Sequence, residues 1–174
     1  IDIGYHYPIP PPSGPGILTS VNVKPASLVT STSSTVTLTF TNDNAWNSDG
    51  KLRLLFPSNL GNWTFGSVAA TCTVGCDGSL AVNTATTNQI TLTRSGGSQT
   101  AADTAITITL TNITNPNTAG TLDDYLVETQ TSTGSIIDVK SDIDGDTLTS
   151  PVVATNTITI TGTFTCSGCT MSVT

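Results

Sequence analysis

An all-β fold, built as a two-sheet sandwich or barrel, is predicted by three features of the sequence. Threonine makes up about a fifth of the 174 residues, and β-branched side chains suit a pleated, half-buried surface. Apolar and polar residues alternate through most of the chain, the period of a strand with one wet face. Clusters of Gly, Pro, Asn and Asp recur every ~8–14 residues, the spacing of many short strands. Nothing has a helical period, and Glu128 is the only glutamate.

The elements follow in order. "IDIGYHY" alternates Ile1, Ile3, Tyr5 and Tyr7 with Asp2, Gly4 and His6, and reads as a strand with one apolar face. "PIPPPSGPG" is a stiff linker whose last eight residues span about 25 Å as polyproline II. Residues 1–16 are therefore an extended arm and linker, and residues 17–174 a single domain. In that domain "ILTSVNVKP" (17–25) is a first strand. "STVTLTFTN" places Val36, Leu38 and Phe40 on one face and threonines on the other. "NDNAWNSDG" is turn chemistry, and "KLRLLFP" is an apolar run stopped by Pro57. "NWTFGSVAATCTVG" carries another strand and a tight turn, and "SLAVN" and "QITLTR" flank an Asn/Thr-rich turn. "TAITITLTNIT" turns Ile106, Ile108 and Leu110 inward. "DYLVETQT" and "GSIIDV" pair across "STG", and "KSDIDGDTLTSP" is a polar loop. "VVATNTITITGTF" is a long alternating strand with Ile158, Ile160 and Phe164 on one face, and "CSGC" turns the chain into its last residues as a hairpin.

Three stretches, "TLTFTNDNAWNSDGKLRLLFPSNL", "ATCTVGCDGSLAVN" and "ITLTNITNPNTAGTLDDYLVETQTSTGSIID", together resemble a loose group of immunoglobulin-like β-sandwich modules on secreted and cell-surface prokaryotic proteins. The resemblance runs from about Ile17 to Val139, with "AGTLDDY" standing where the group has a shorter "AGTY". It implies an immunoglobulin-like two-sheet sandwich. Such modules serve as spacers, coat proteins and filament subunits, and no catalytic residue is shared among them.

Charge and composition narrow the function. Five Lys and Arg stand against twelve Asp and Glu, for a net charge of −7. Lys24, Lys51, Arg53, Arg94 and Lys140 are scattered, which argues against nucleic acid and anionic membrane as partners. No apolar run reaches the ~18 residues of a membrane span. The chain starts at Ile1, which reads as a processed, mature form of a secreted or cell-surface protein. His6 is the only histidine and lies on the arm; no nucleophile elbow, zinc-protease helix, Walker loop or dinucleotide fingerprint is present, so no enzyme activity is expected. The adjacent Asp123 and Asp124 would point to opposite faces of a strand rather than form a glycosidase pair.

Four constellations remain. Asp138, Asp142, Asp144 and Asp146 fall within nine residues beside Gly145, and read either as a solvated polar turn or as hard-oxygen ligands for calcium. Cys72 with Cys76, and Cys166 with Cys169, read as two local disulfides, with a four-cysteine zinc site as the rival. Trp46 and Trp63 are the aromatic platforms on which a carbohydrate-binding or adhesin module would depend. Asn62 and Asn112 head glycosylation sequons, which also arise by chance in a chain so rich in Asn and Thr. The function expected is that of a structural subunit of an extracellular filament (a pilus-like fibre) or surface layer. Its partners are other copies of itself, and Ile1, Ile3, Tyr5 and Tyr7 are donated to a neighbour's sheet edge.

Overall fold

The computed structural model describes residues 14–153 together with Ser167 and Gly168. The arm strand Ile1–Tyr7 and the predicted strand beyond Val153 lie outside the described residues, and so do Cys166 and Cys169. The described strands are β1 (Gly16–Ile17), β2 (Thr19–Pro25), β3 (Ser33–Thr41), β4 (Lys51–Leu55), β5 (Thr64–Phe65), β6 (Ala70–Val74), β7 (Ser79–Thr86), β8 (Gln89–Ser95), β9 (Ala105–Thr114), β10 (Gly120–Thr121), β11 (Tyr125–Gln130), β12 (Ile136–Ile143) and β13 (Thr147–Leu148).

The alternation in β3, β4, β8 and β9 explains why they form the centre. Val36, Leu38, Phe40, Leu52, Leu54, Ile90, Leu92, Ile106, Ile108 and Leu110 are all buried, and their polar neighbours face outward. The hydrogen-bonded order is β1-β12-β11-β4-β8-β7-β6-β9-β3-β2, with β5 beside β9 and β10 paired to β13. The two layers part where β6 meets β7, since those strands share the single pairing Ala70↔Leu80. At the other side the sheet is nearly closed by one segment. β1 runs parallel to β12, the chain crosses at buried Leu18, and β2 runs antiparallel to β3. The expected single strand over 17–25 is thus two strands, with Ser20 in a left-handed conformation (φ 50°) just after the crossing.

The segment 140–151, read from its acids as a polar loop, is a second correction. β12 continues to Ile143, and Ile143 and Leu148 are both buried. Two apolar residues anchor this stretch from either side of its aspartates.

The register gives the sandwich two poles. Thr19, Thr41, Lys51, Ala105, Gln130 and Ile136 lie at one, and Pro25, Ser33, Leu55, Thr114, Leu126 and Ile143 at the other. Trp46 packs edge-on against Phe40 near the first pole, with ring centroids 6.3 Å apart. Phe56, Trp63, Phe65 and Tyr125 fill the second, with centroids 4.8–6.2 Å apart.

Candidate assembly site

The first pole is where the chain enters the domain, and it is built around a glycine. A Cβ on Gly16 would overlap the side-chain ends of Asn44, Asp138 and Asp43, so a larger residue there would have to displace them. The Ile17 N–H donates to Asp43 Oδ2 at 3.3 Å, and the Leu18 N–H to the Val139 carbonyl at 3.2 Å. Asp138 is fully buried. Its carboxylate accepts from the Asn44 backbone N–H (3.2 Å) and Nδ2 (2.8 Å), and from the Thr129 hydroxyl (3.4 Å). These bonds compensate the cost of burying a carboxylate. Asn42, also buried, fixes the same loop by donating to the Asn44 and Ala101 carbonyls and accepting from the Thr104 N–H.

Beside this clamp the 42–50 loop rests on Arg94. The period of "ITLTR" turns Arg94 inward after Ile90 and Leu92, and its side chain is completely buried. Its guanidinium lies 4.7 Å from the Trp46 ring and donates to the carbonyls of Trp46, Asn47 and Ser98. Asp77, 3.5 Å away and largely exposed, completes the pair. The Ser98 N–H bonded to Asp77 Oδ1 at 2.8 Å holds that carboxyl below its ordinary range, and burial lowers the Arg94 pKa. The Cys72–Cys76 disulfide pins the neighbouring turn, with Cα atoms 5.9 Å apart. Cys76, Asp77, Ser98, Gln99, Thr100 and Ala101 border a shallow cleft of about 280 Å³.

The other sequence candidates are dispersed or buried. Of the four aspartates, Asp138 is committed to the clamp, Asp146 is paired with Lys24, and Asp142 and Asp144 are exposed. Among the described residues no three acidic, histidine or cysteine side chains converge as metal ligands do. Of the two expected disulfides, the structure shows the one between Cys72 and Cys76. The second, between Cys166 and Cys169, falls outside the described residues and stays an expectation. The bond that is present takes Cys72 and Cys76 out of any four-cysteine zinc site. Trp46 and Trp63 are 0% and 2% exposed, and their indole N–H groups donate to the Lys51 and Pro57 carbonyls. They are core residues and give no surface platform for a sugar, which corrects that reading. Sequence reasoning took Asp43 and Asn44 only as turn residues and missed Arg94 as an inward cation. An arginine at an inward step of a strand period was the available signal.

The described domain is an all-β sandwich module, and no helix among the described residues is long and apolar enough to cross a membrane. No protein-family model matches the chain, and no curated protein matches it in sequence. Three similar solved structures are a bacterial hydrophobin, BslA (19% identity, 77% of this chain, 98% of that one, TM-score 0.43), a chain of the complex between a CaDoc0917 variant and CaCohA2 (17%, 75%, 91%, 0.43) and a non-cellulosomal cohesin from the hyperthermophilic archaeon Archaeoglobus fulgidus (10%, 74%, 93%, 0.38). At these distances none of them carries an activity or partner over to this chain.

Proposed function

We propose that the protein is a structural subunit of an extracellular filament or surface layer, joined head to tail by its N-terminal strand and acting by assembly rather than catalysis. The observation that carries this reading is the placing of the first and last of the continuously described residues, 14 and 153. They begin at residues 14–16 at one pole, and reach the opposite pole where Thr149 bridges Val29 and the exposed Val152 and Val153 follow. Among the described residues β1 and β2 are the two ends of the hydrogen-bonded order, each with one described partner, and so offer edges to which a strand patterned like Ile1, Ile3, Tyr5 and Tyr7 could add. An unpartnered strand of that pattern is an aggregation hazard, which a neighbour's sheet edge would remove. A disulfide and a charge-poor, acidic chain suit an oxidising exterior.

Burying four large apolar side chains at roughly 1.5–3 kcal/mol each, with added ladder hydrogen bonds, is enough to offset an association cost of about 4–15 kcal/mol. The test is electron microscopy of the full chain, of the full chain carrying Ile3→Asp, and of a form lacking residues 1–12. The parent should give polymers. Both variants should melt cooperatively yet stay monomeric. Polymers from the truncated form would end the proposal.

A further inference from the structure

The fold brings the chain's two sequons into one place. Asn62-Trp63-Thr64 and Asn112-Ile113-Thr114 lie fifty residues apart in sequence, yet Thr64 and Thr114 are direct register partners where β5 pairs with β9. Both triplets have the same construction. The middle residue is a core anchor, Trp63 at 2% and Ile113 at 0% exposure, while both asparagines are exposed. Trp63 is further fixed by its backbone N–H to Asn88 Oδ1 (3.1 Å) and its indole N–H to Pro57 O (2.9 Å). Asn112 sits at the register shift between β3 and β9, in a left-handed conformation (φ 58°) that pushes its side chain out of the ladder.

We infer that Asn62 and Asn112 are a paired N-glycosylation site. The co-substrate is a sugar chain carried on a lipid phosphate or pyrophosphate. The Asn Nδ2 replaces the phosphate oxygen at the sugar's C1: a C1–N bond forms, the C1–O bond breaks, the amide gives up one proton and the lipid phosphate leaves. Each triplet is held by its buried middle residue and leaves its asparagine at the surface, where the folded domain accommodates an attached glycan. The competing demands on the two amides are small. Asn112 Nδ2 donates to Ser67 O at 2.9 Å, and Asn62 receives a 3.4 Å contact from Asn88, so each keeps a free amide hydrogen or a replaceable partner. Thr114 lies at the second pole, so two glycans here would flank the end that meets the next subunit's Gly16 pole in the proposed assembly.

Glycan occupancy is read on the isolated chain, so its failure is distinguishable from failure of the assembly reading. Intact-mass and glycopeptide spectrometry of the protein isolated from its own cells tests it. The native chain should exceed its polypeptide mass by two glycans. Thr64→Ala and Thr114→Ala should each remove one, while Thr64→Ser and Thr114→Ser keep both; these changes avoid straining Asn112. A native mass equal to the bare chain overturns the proposal, as does carbohydrate retained in the double alanine variant. Occupancy of one asparagine alone overturns the pairing.

Discussion

Arg94 is the residue on which most of the first pole depends. Its guanidinium satisfies three carbonyls from two loops and stacks on Trp46. Arg94→Met fills much of the volume and takes the donor from the Ser98 carbonyl, while the Trp46 and Asn47 carbonyls keep the Thr100 and Gly50 N–H groups, so it should cost about 1–3 kcal/mol in a denaturant melt. Asp77 contributes to the same group in a pH-dependent way. Its carboxyl is depressed, chiefly by the Ser98 N–H, so its stabilisation is complete above the ordinary value of 3.8 and is lost as pH falls through the lower folded value. Asp77→Asn should therefore lower the melting temperature above about pH 4, leave it unchanged at more acidic pH, and so flatten the acid limb of a pH–melting profile. An unaltered acid limb would show that Asp77 is not coupled to folding. Tyr125 makes the opposite case. Burial raises its phenol pKa, and its hydroxyl has no hydrogen-bond partner among the described residues. Tyr125→Phe removes an orphan donor, so the melting temperature should hold or rise; a clear fall would reveal a partner for the hydroxyl. None of these roles was legible as chemistry in the sequence. The inward period of Arg94 was visible, but the carbonyls that receive it come from residues 46–47 and 98, which only the closed fold brings together.

Among the elements, β1 shows how little sequence can decide a junction. Two residues pair with β12, and Gly16 admits the backbone under Asn44 and Asp138. Gly16→Ala should displace the Asp43, Asn44 and Asp138 side-chain ends, weaken the β1–β12 pairing and lower stability by about 1–3 kcal/mol; an alanine variant with parent melting behaviour would disprove the clamp. β3 and β9 were legible because alternation is their whole pattern: Val36-x-Leu38-x-Phe40 and Ile106-x-Ile108-x-Leu110 can bury only one face. β12 was legible only to Val139. Beyond it Asp142, Asp144 and Asp146 mask the buried Ile143 and Leu148, and a bulge between Tyr125 and Val127 breaks the period. The same acids suggested calcium. With Asp138 and Asp146 already bonded within the protein, EDTA should leave the melting temperature unchanged. A fall that Ca²⁺ restores would mean that one of them exchanges its protein partner for metal.

At the scale of the whole molecule, what matters is where the chain enters and leaves. Strand length fixes the distance between the poles: β3 has nine residues, about 30 Å at ~3.3 Å per residue, and loops at both ends bring the sandwich to about 40 Å. A subunit whose arm departs from one pole and engages the next copy makes a heterologous contact, which builds an open chain when its rotation does not close. If the strands run along the filament, each subunit should advance the axis by about 40 Å, the full length of the sandwich. Side-by-side stacking would advance it by the thickness of two layers packed about 10 Å apart, or by the breadth of a sheet whose strands lie ~4.8 Å apart, and so by roughly 30 Å at most. The helical rise, measured from power spectra of the native polymer, separates the two arrangements. A rise near 40 Å, with Gly16 of each subunit facing the Val29–Thr149 end of its neighbour, is the expected result. A rise below about 25 Å would require the strands to tilt by more than about 50° from the axis, and would reject assembly with the strands running along the filament.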